Sequence, residues 1–214
     1  MSDFGDGRRG YHHGNLKEAL IEAALKLIAE HGPSGFTFAD ASRSAGVSPA
    51  APYRHFRDRD ELMADVARRG FERFEAALAK SWNEGKPDPL TAFQRVGHAY
   101  LAFARSEPAF YSAMFEAGIS PEANPELQLA GDRAFAVLRQ ATEEVSLTLP
   151  KDERPPALMM ALHIWALAHG IASLFARGDQ ARRKLPMTAD DLLEAAVLVY
   201  LRGLGLGQSR DPAH

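Results

Sequence analysis

Residues 37–56 of the chain read TFADASRSAGVSPAAPYRHF, and they carry the strongest structural signals of the sequence. Thr37 and Asp40 stand three residues apart, which is the spacing of a capping box at the start of a helix. Gly46 can take the left-handed conformation that ends this helix after about two turns. Ser48 then offers an N-cap, and the proline that follows it suits the first position of a second helix. Two short helices joined by a tight turn are therefore predicted, as in a helix-turn-helix.

The second helix presents a small N-terminal tip with hydrogen-bond donors further along. Arg54 is the candidate for a bidentate contact to guanine, and Ala50 or Ala51 could meet a thymine methyl group. Pro52 falls at the fourth helical position and removes a backbone donor, so we expect a short helix that is slightly opened there. The residues interpreted as phosphate contacts, which position the helix without reading sequence, are Tyr53, His55 and Arg59. The full predicted DNA-contacting set is Thr37, Pro49, Ala50, Ala51, Tyr53, Arg54, His55 and Arg59.

Helical periodicity continues on both sides of this unit. An amphipathic helix is predicted from the cap pair Asn15 and Glu18 to the break at Gly32. Asp58 opens a longer helix that runs to about Trp82. Further helices are predicted at about 90–105, 108–117, 124–148, 155–177 and 189–204, separated by proline and glycine clusters.

Composition limits the functional classes. The chain has 214 residues, of which 46% are hydrophobic and 25% charged, as in soluble globular proteins. It has no cysteine, so disulfides and thiol chemistry are excluded. The start of the chain lacks the apolar core of a signal peptide, and the most apolar run, 157–176, is interrupted by histidine and glycine and predicts a buried helix of a soluble protein. The net charge of −3 does not favour DNA binding by itself, so that interpretation depends on where the charges lie.

The segment 11–74 resembles the TetR family of transcriptional regulators. The resemblance rests on the Ala-Gly-Val-Ser turn at 45–48, on Tyr53 and Phe56, and on the basic Arg59. Departures from the family pattern include Pro52, which leaves the choice of base contacts open. A helical hairpin within an unrelated all-α protein is the alternative. The basic pair at 8–9 lies on a lead-in that either contacts DNA or is a solvated tail.

The resemblance implies an all-α fold in which a three-helix N-terminal DNA-binding domain precedes a larger helical ligand-binding and dimerisation domain. The expected boundaries are a flexible arm at 1–10, the DNA-binding domain at 11–72, the C-terminal domain at 73–205 and a tail at 206–214. Dimerisation is expected through the helices near 155–177 and 189–204, whose small residues suit close packing, although plain intramolecular packing would use the same residues.

A ligand pocket is expected in the C-terminal domain. Trp165 and His169 lie four apart on one helical face and resemble the Trp-x-x-x-His-Gly signature of one TetR subgroup. His169 could contact a ligand or be an ordinary core histidine. Aromatic and methionine side chains near 103–115 would suit a hydrophobic or aromatic effector. The predicted pocket residues are Phe103, Phe110, Met114, Phe115, Trp165 and His169.

The predicted function is therefore a ligand-responsive, dimeric, cytoplasmic DNA-binding regulator that acts as a repressor on a near-palindromic operator. An activator or a ligand-independent regulator of the same type is the alternative. A small all-α enzyme is a distant third, because no metal-ligand spacing, nucleophile elbow or cofactor motif occurs. No cofactor and no metal are expected.

Overall fold

The computed structural model describes residues 16–120, 122, 124–176 and 186–206. Within these ranges all regular structure is helical, which confirms the predicted fold class. The α-helices are α1 (Leu16–His31), α2 (Phe38–Ser44), α3 (Arg59–Trp82), α4 (Pro89–Ser106), α5 (Pro108–Phe115), α6 (Pro125–Leu147), α7 (Ala157–Ala176) and α8 (Ala189–Gly203).

The start and end of α2 agree with the sequence prediction. The Thr37 hydroxyl accepts a hydrogen bond from the Asp40 backbone N–H at 3.2 Å, and the Thr37 N–H donates to the Asp40 carboxylate at 2.8 Å. These two bonds form the predicted capping box. After α2, Gly46 has a φ of 69°, a conformation that glycine adopts without steric cost.

The second helix of the unit differs from its prediction. Residues 49–51 form a turn, and only Pro52–Arg54 are helical, as a single 3₁₀ turn without a side-chain cap. The physical reason is Pro52, because it has no N–H to donate to the Ser48 carbonyl. Ala51 donates to that carbonyl instead, at 3.0 Å, which closes a tighter turn. The prediction that Ser48 caps a helix beginning at Pro49 was therefore wrong, whereas the opening expected at Pro52 is present.

The long helix α3 connects the two halves of the chain. It begins where predicted, because the Asp58 carboxylate accepts a hydrogen bond from the Glu61 N–H at 2.9 Å. It contacts α1 near its start and packs against α4, α5 and α6 along the rest of its length. A displacement of α3 relative to helices α4–α6 would therefore also move its contact with α1.

An ion-pair cluster holds α1 against α3. The Arg69 guanidinium donates to both carboxylate oxygens of Glu18 at 2.5 Å, and its Nε lies 3.4 Å from Asp65. The hydrogen bonds from Arg69 lower the pKa of Glu18. Glu18 was predicted to close a capping box with Asn15, which lies outside the described residues; the described contact of Glu18 is with α3.

Helix α7 is only partly buried. One face, including Met160, Ile164 and Ala168, lies in the core, whereas Leu158 and Leu174 are exposed. The prediction of a buried helix holds for the first face alone. By length and composition α7 could span a membrane, but the same test is passed by core helices of soluble proteins. Among the described residues it is the one helix that meets that test.

Candidate nucleic-acid interface and cavity

Residues 49–55, here called the reading element, form an exposed surface at one end of the molecule. Its polar side chains, Tyr53, Arg54 and His55, are exposed, and Pro52 is buried beneath them. The small tip is also accessible, with Pro49 and Ala50 exposed and Ala51 half-buried. All eight predicted DNA-contacting residues, including Thr37 at the start of α2, are exposed or half-buried. Arg59 differs from the others because its guanidinium is engaged within the protein.

Tyr53 is held in place although it is 63% exposed. Its ring meets the ring of Phe38 edge-on, with 5.2 Å between centroids. The contact ties the reading element to the first turn of α2, next to Thr37. A hydroxyl group fixed in this way is suited to positioning the element on a phosphate backbone.

Arg59 is occupied by contacts within the protein. Its Nε donates to the Phe36 carbonyl at 2.9 Å, and its Nη2 donates to the Pro33 carbonyl. The guanidinium also lies over the Phe36 ring, 4.8 Å from the centroid. These contacts fasten the α1–α2 connection to the start of α3, so the geometry favours a structural role over the predicted phosphate contact.

Two exposed arginines near the reading element were not singled out in the sequence. Arg57 follows Phe56 directly, and its side chain is 83% exposed while pairing with Asp58. Arg43, in the last turn of α2, is also exposed and pairs with Asp40. The sequence could have indicated both as surface cations, because Arg57 directly follows the anchor Phe56 and Arg43 lies one residue before the end of α2. The basic pair at 8–9 lies outside the described residues.

Helices α3 to α8 surround a cavity of about 410 Å³. Its wall is mainly apolar, and side chains from α3, α4, α5, α6, α7 and α8 contribute to it. The aromatic residues of the wall are Phe71, Phe74, Phe93, Tyr100, Phe115, Phe135 and Trp165. Its other polar or charged residues, all exposed and here called the rim, are Gln94, His98, Asp132 and Glu194. A cavity of this size and character is suited to a small organic molecule.

The six predicted pocket residues divide into two groups. Met114, Phe115 and Trp165 line the cavity. Phe103 and Phe110 do not belong to its lining: Phe103 packs on the Phe74 ring at 5.0 Å, and Phe110 lies beneath the Arg73 guanidinium at 4.7 Å. His169 is also absent from the lining. Helices α4, α5 and α7 turn these three side chains away from the cavity: Phe103 and Phe110 are buried in the core, and His169 is half-buried.

His169 is half-buried and forms a polar cluster with two tyrosines beside the cavity. Its Nδ1 is 2.9 Å from the Tyr111 hydroxyl and 3.1 Å from the Tyr100 hydroxyl. The His169 ring is also 4.9 Å from the Phe115 ring, centroid to centroid. Burial lowers the pKa of His169 and raises the pKa of Tyr100, so both groups are neutral at pH 7. His169 is thus linked to the cavity through Tyr100, which lines it, and this supports the interpretation as a core histidine.

The aromatic residues contributed by α3, α4 and α6 were not identified as pocket residues from the sequence. Phe71, Phe93 and Phe135 sit at ordinary core-facing positions of amphipathic helices. Periodicity shows that such residues face inward but does not show whether the inward space is filled.

The helical fold and the exposed reading element define a helix-turn-helix DNA-binding protein. Residues 20–66 match the family model "Bacterial regulatory proteins, tetR family", and residues 93–200 match "Tetracyclin repressor-like, C-terminal domain". The second match spans half of the chain, and the chain belongs to the TetR family of transcriptional regulators. Like its relatives, it is a transcriptional regulator and not an enzyme.

Relatives match over nearly the whole chain. The chain is 24% identical over 194 residues to the uncharacterized HTH-type transcriptional regulator YobS of Bacillus subtilis, covering 89% of this chain and 93% of YobS. A solved structure of a protein with unknown function from Rhodococcus sp. RHA1 shares 30% identity with a TM-score of 0.76, covering 94% of this chain and all of that one. The TetR family transcriptional regulator PfmR from Thermus thermophilus shares the fold at 22% identity and a TM-score of 0.67, covering 86% of this chain and 97% of that one.

Proposed function

We propose that this protein is a cytoplasmic, dimeric repressor that binds a near-palindromic operator and leaves it when a small hydrophobic or aromatic effector occupies the cavity. The observation that carries the proposal is the position of α5. This helix supplies Met114 and Phe115 to the cavity wall, and it packs against both α1 and α3.

The contact between α5 and α3 is close enough to transmit a displacement. A methyl group placed on Gly70 of α3 would lie 2.7 Å from Sδ of Met114 and 3.4 Å from Cβ of Phe110. Phe115 also meets Phe71 of α3 edge-on at 5.5 Å between centroids. An effector that moves these α5 side chains would therefore push on α3, because packed interfaces do not deform continuously.

Motion of α3 would alter the separation of the two reading elements in a dimer. Half-sites lie about 34 Å apart along DNA, one helical turn, so both reading elements must reach one face of the duplex together. An effector that binds only the conformation with displaced α3 raises the population of that conformation and so lowers the fraction of protein bound to DNA. The size of this shift is set by the difference in effector affinity between the two conformations.

The exposed apolar faces of α7 and α8 support the proposed dimer. Leu158, Met159 and Leu174 of α7, and Leu198 and Val199 of α8, are exposed, with Val199 at 72%. Exposed apolar surface of this kind is typical of an interface between subunits. The domain boundaries and the finer Trp-x-x-x-His-Gly subgroup assignment stay predictions.

The test is operator binding measured with purified full-length protein and DNA from upstream of its own gene. We expect a specific complex at nanomolar protein with strong salt dependence. Hydrophobic compounds that raise the melting temperature should also release the DNA. Compounds that bind the protein without changing operator affinity in either direction would contradict effector control.

A further inference from the structure

The cavity wall and its rim differ in chemistry, and the difference restricts which effectors fit. Aromatic side chains from several helices line the wall, including Phe93, Phe135 and Trp165. Aromatic faces carry negative partial charge and attract organic cations, tryptophan most strongly. A purely aliphatic wall would not favour organic cations over other apolar molecules.

The rim carries two carboxylates without described counter-ions. Asp132 on α6 and Glu194 on α8 both line the cavity and are exposed. Within the described ranges neither forms an ion pair or a side-chain hydrogen bond. Asp132 follows Gly131, which faces the Phe71 ring of the wall, and Glu194 follows Leu193, which packs against Gly97. Each carboxylate therefore lies directly beside an apolar part of the cavity.

The basic side chains described next to the rim form contacts with other carboxylates. Arg133, next to Asp132, pairs with Glu75 at 3.0 Å. Arg105 and the rim residue His98 both pair with Asp190, at 2.7 Å and 3.0 Å. No lysine or arginine belongs to the described lining of the cavity. Within the part of the chain that the structure describes, a bound anion would thus meet two carboxylates and no lysine or arginine of the cavity lining.

We propose that the cavity selects an amphipathic organic cation, whose apolar body fills the aromatic chamber while its charge lies beside Asp132 and Glu194. This inference rests on the proposed effector function of the cavity. Electrostatic attraction to the rim also raises the rate at which a cation enters and lowers it for an anion.

The test compares two probes of nearly identical shape and opposite charge, tetraphenylphosphonium and tetraphenylborate. The chain has two tryptophans, and only Trp165 lines the cavity. The full-length Trp82→Phe variant therefore reports cavity binding through the fluorescence of Trp165. The indole N–H of Trp82 has no hydrogen-bond partner among the described residues, so this background loses no described bond.

Charge is then removed from the rim by Asp132→Asn and Glu194→Gln, singly and together. Glu143→Gln is the matched control, because Glu143 is an exposed carboxylate on α6 outside the cavity lining. We expect tetraphenylphosphonium to bind at least about tenfold more tightly than tetraphenylborate at low salt. The double variant should reduce this preference by about tenfold, and Glu143→Gln should leave it unchanged.

Equal affinity for the two probes, or tighter binding of tetraphenylborate, would overturn the inference. A preference for tetraphenylphosphonium that persists in the double variant would also overturn it, as would the failure of both probes to quench Trp165 fluorescence. Operator binding is measured in parallel to separate this inference from the proposed function. Cation-selective binding that leaves operator affinity unchanged would support the inference about the cavity and contradict the effector role.

Discussion

Arg54 has the longest donor side chain of the reading element, and this side chain is exposed and forms no ion pair or hydrogen bond with the described residues. We expect Arg54→Ala to weaken operator binding by about 1–3 kcal/mol and to relax sequence selectivity, because a bidentate contact to guanine is lost. Fluorescence anisotropy on operator and scrambled duplexes measures both effects. The control is Arg139→Ala, which removes the same charge at an exposed position of α6. Unchanged selectivity in Arg54→Ala would show that another residue reads the sequence.

His169 makes the stability of the protein sensitive to mildly acidic pH. Burial lowers its pKa below 6.5 in the folded state, so the unfolded chain takes up the proton first as the pH falls. The free energy of unfolding should therefore decrease from about pH 6.5 downward until the lowered pKa is passed. Denaturant titrations at about pH 7.5 and about pH 5.5 should give a smaller decrease for His169→Asn than for the native chain. An identical decrease in both proteins would place the titrating group elsewhere.

At the scale of a single element, the contribution of the α2 cap to the free energy of unfolding can be measured. Thr37→Ala removes the hydroxyl that accepts from the Asp40 N–H and should cost about 1 kcal/mol, or a melting temperature lower by about 2–4 °C. Thr37→Ser keeps the hydroxyl and should restore most of the loss. Ser34→Ala, at an exposed position in the preceding turn, is the matched control. Equal stability of the alanine and serine variants would contradict the capping role.

The contact between α3 and α5 offers a test of transmission between elements. Gly70→Ala would place a methyl group 2.7 Å from Sδ and 2.8 Å from Cγ of Met114, so one helix or the methionine must shift. We expect a destabilisation of about 1–3 kcal/mol together with altered operator affinity. Met114→Ala introduced into the Gly70→Ala variant should recover part of the lost stability and part of the change in operator affinity, because the smaller side chain makes room for the added methyl group. A double-mutant cycle measures the coupling, and strictly additive effects would show that the two positions act independently.

At the scale of the whole molecule, assembly is the property to test. Val199→Asp places a charge on the apolar face of α8, where burial against a second copy would desolvate it. We expect a dimer for the native chain in sedimentation experiments, a monomer for Val199→Asp, and a large loss of operator affinity with the monomer. Leu129→Asp, at a comparably exposed apolar position on α6, should leave the dimer intact. A Val199→Asp dimer of native affinity would mean that subunits meet through another face.

Local sequence signals predicted the helices well because caps and breakers act on neighbouring residues. Thr37, Gly46 and Asp58 mark element ends in the structure as they do in the sequence. The same local reasoning failed at residues 49–51, where a proline four positions after Ser48 removed the first hydrogen bond of the expected helix.

The candidate site was predicted less completely because its cavity is a property of packing. Of the predicted pocket residues, Met114, Phe115 and Trp165 line the cavity, whereas Phe103 and Phe110 have the same chemistry and pack elsewhere in the core. A helical period shows which face points inward, but six helices must be placed together before the space between them can be measured.

The all-α class, the position of the helix-turn-helix unit, the exposure of Arg54 and the family resemblance could be obtained from the sequence, because each depends on residue types at short fixed spacings. Two other features required the folded molecule. Arg59 binds the carbonyls of Pro33 and Phe36, and two carboxylates stand at the mouth of an aromatic cavity. These features join residues far apart in the chain, and their partners are chosen by how the helices pack.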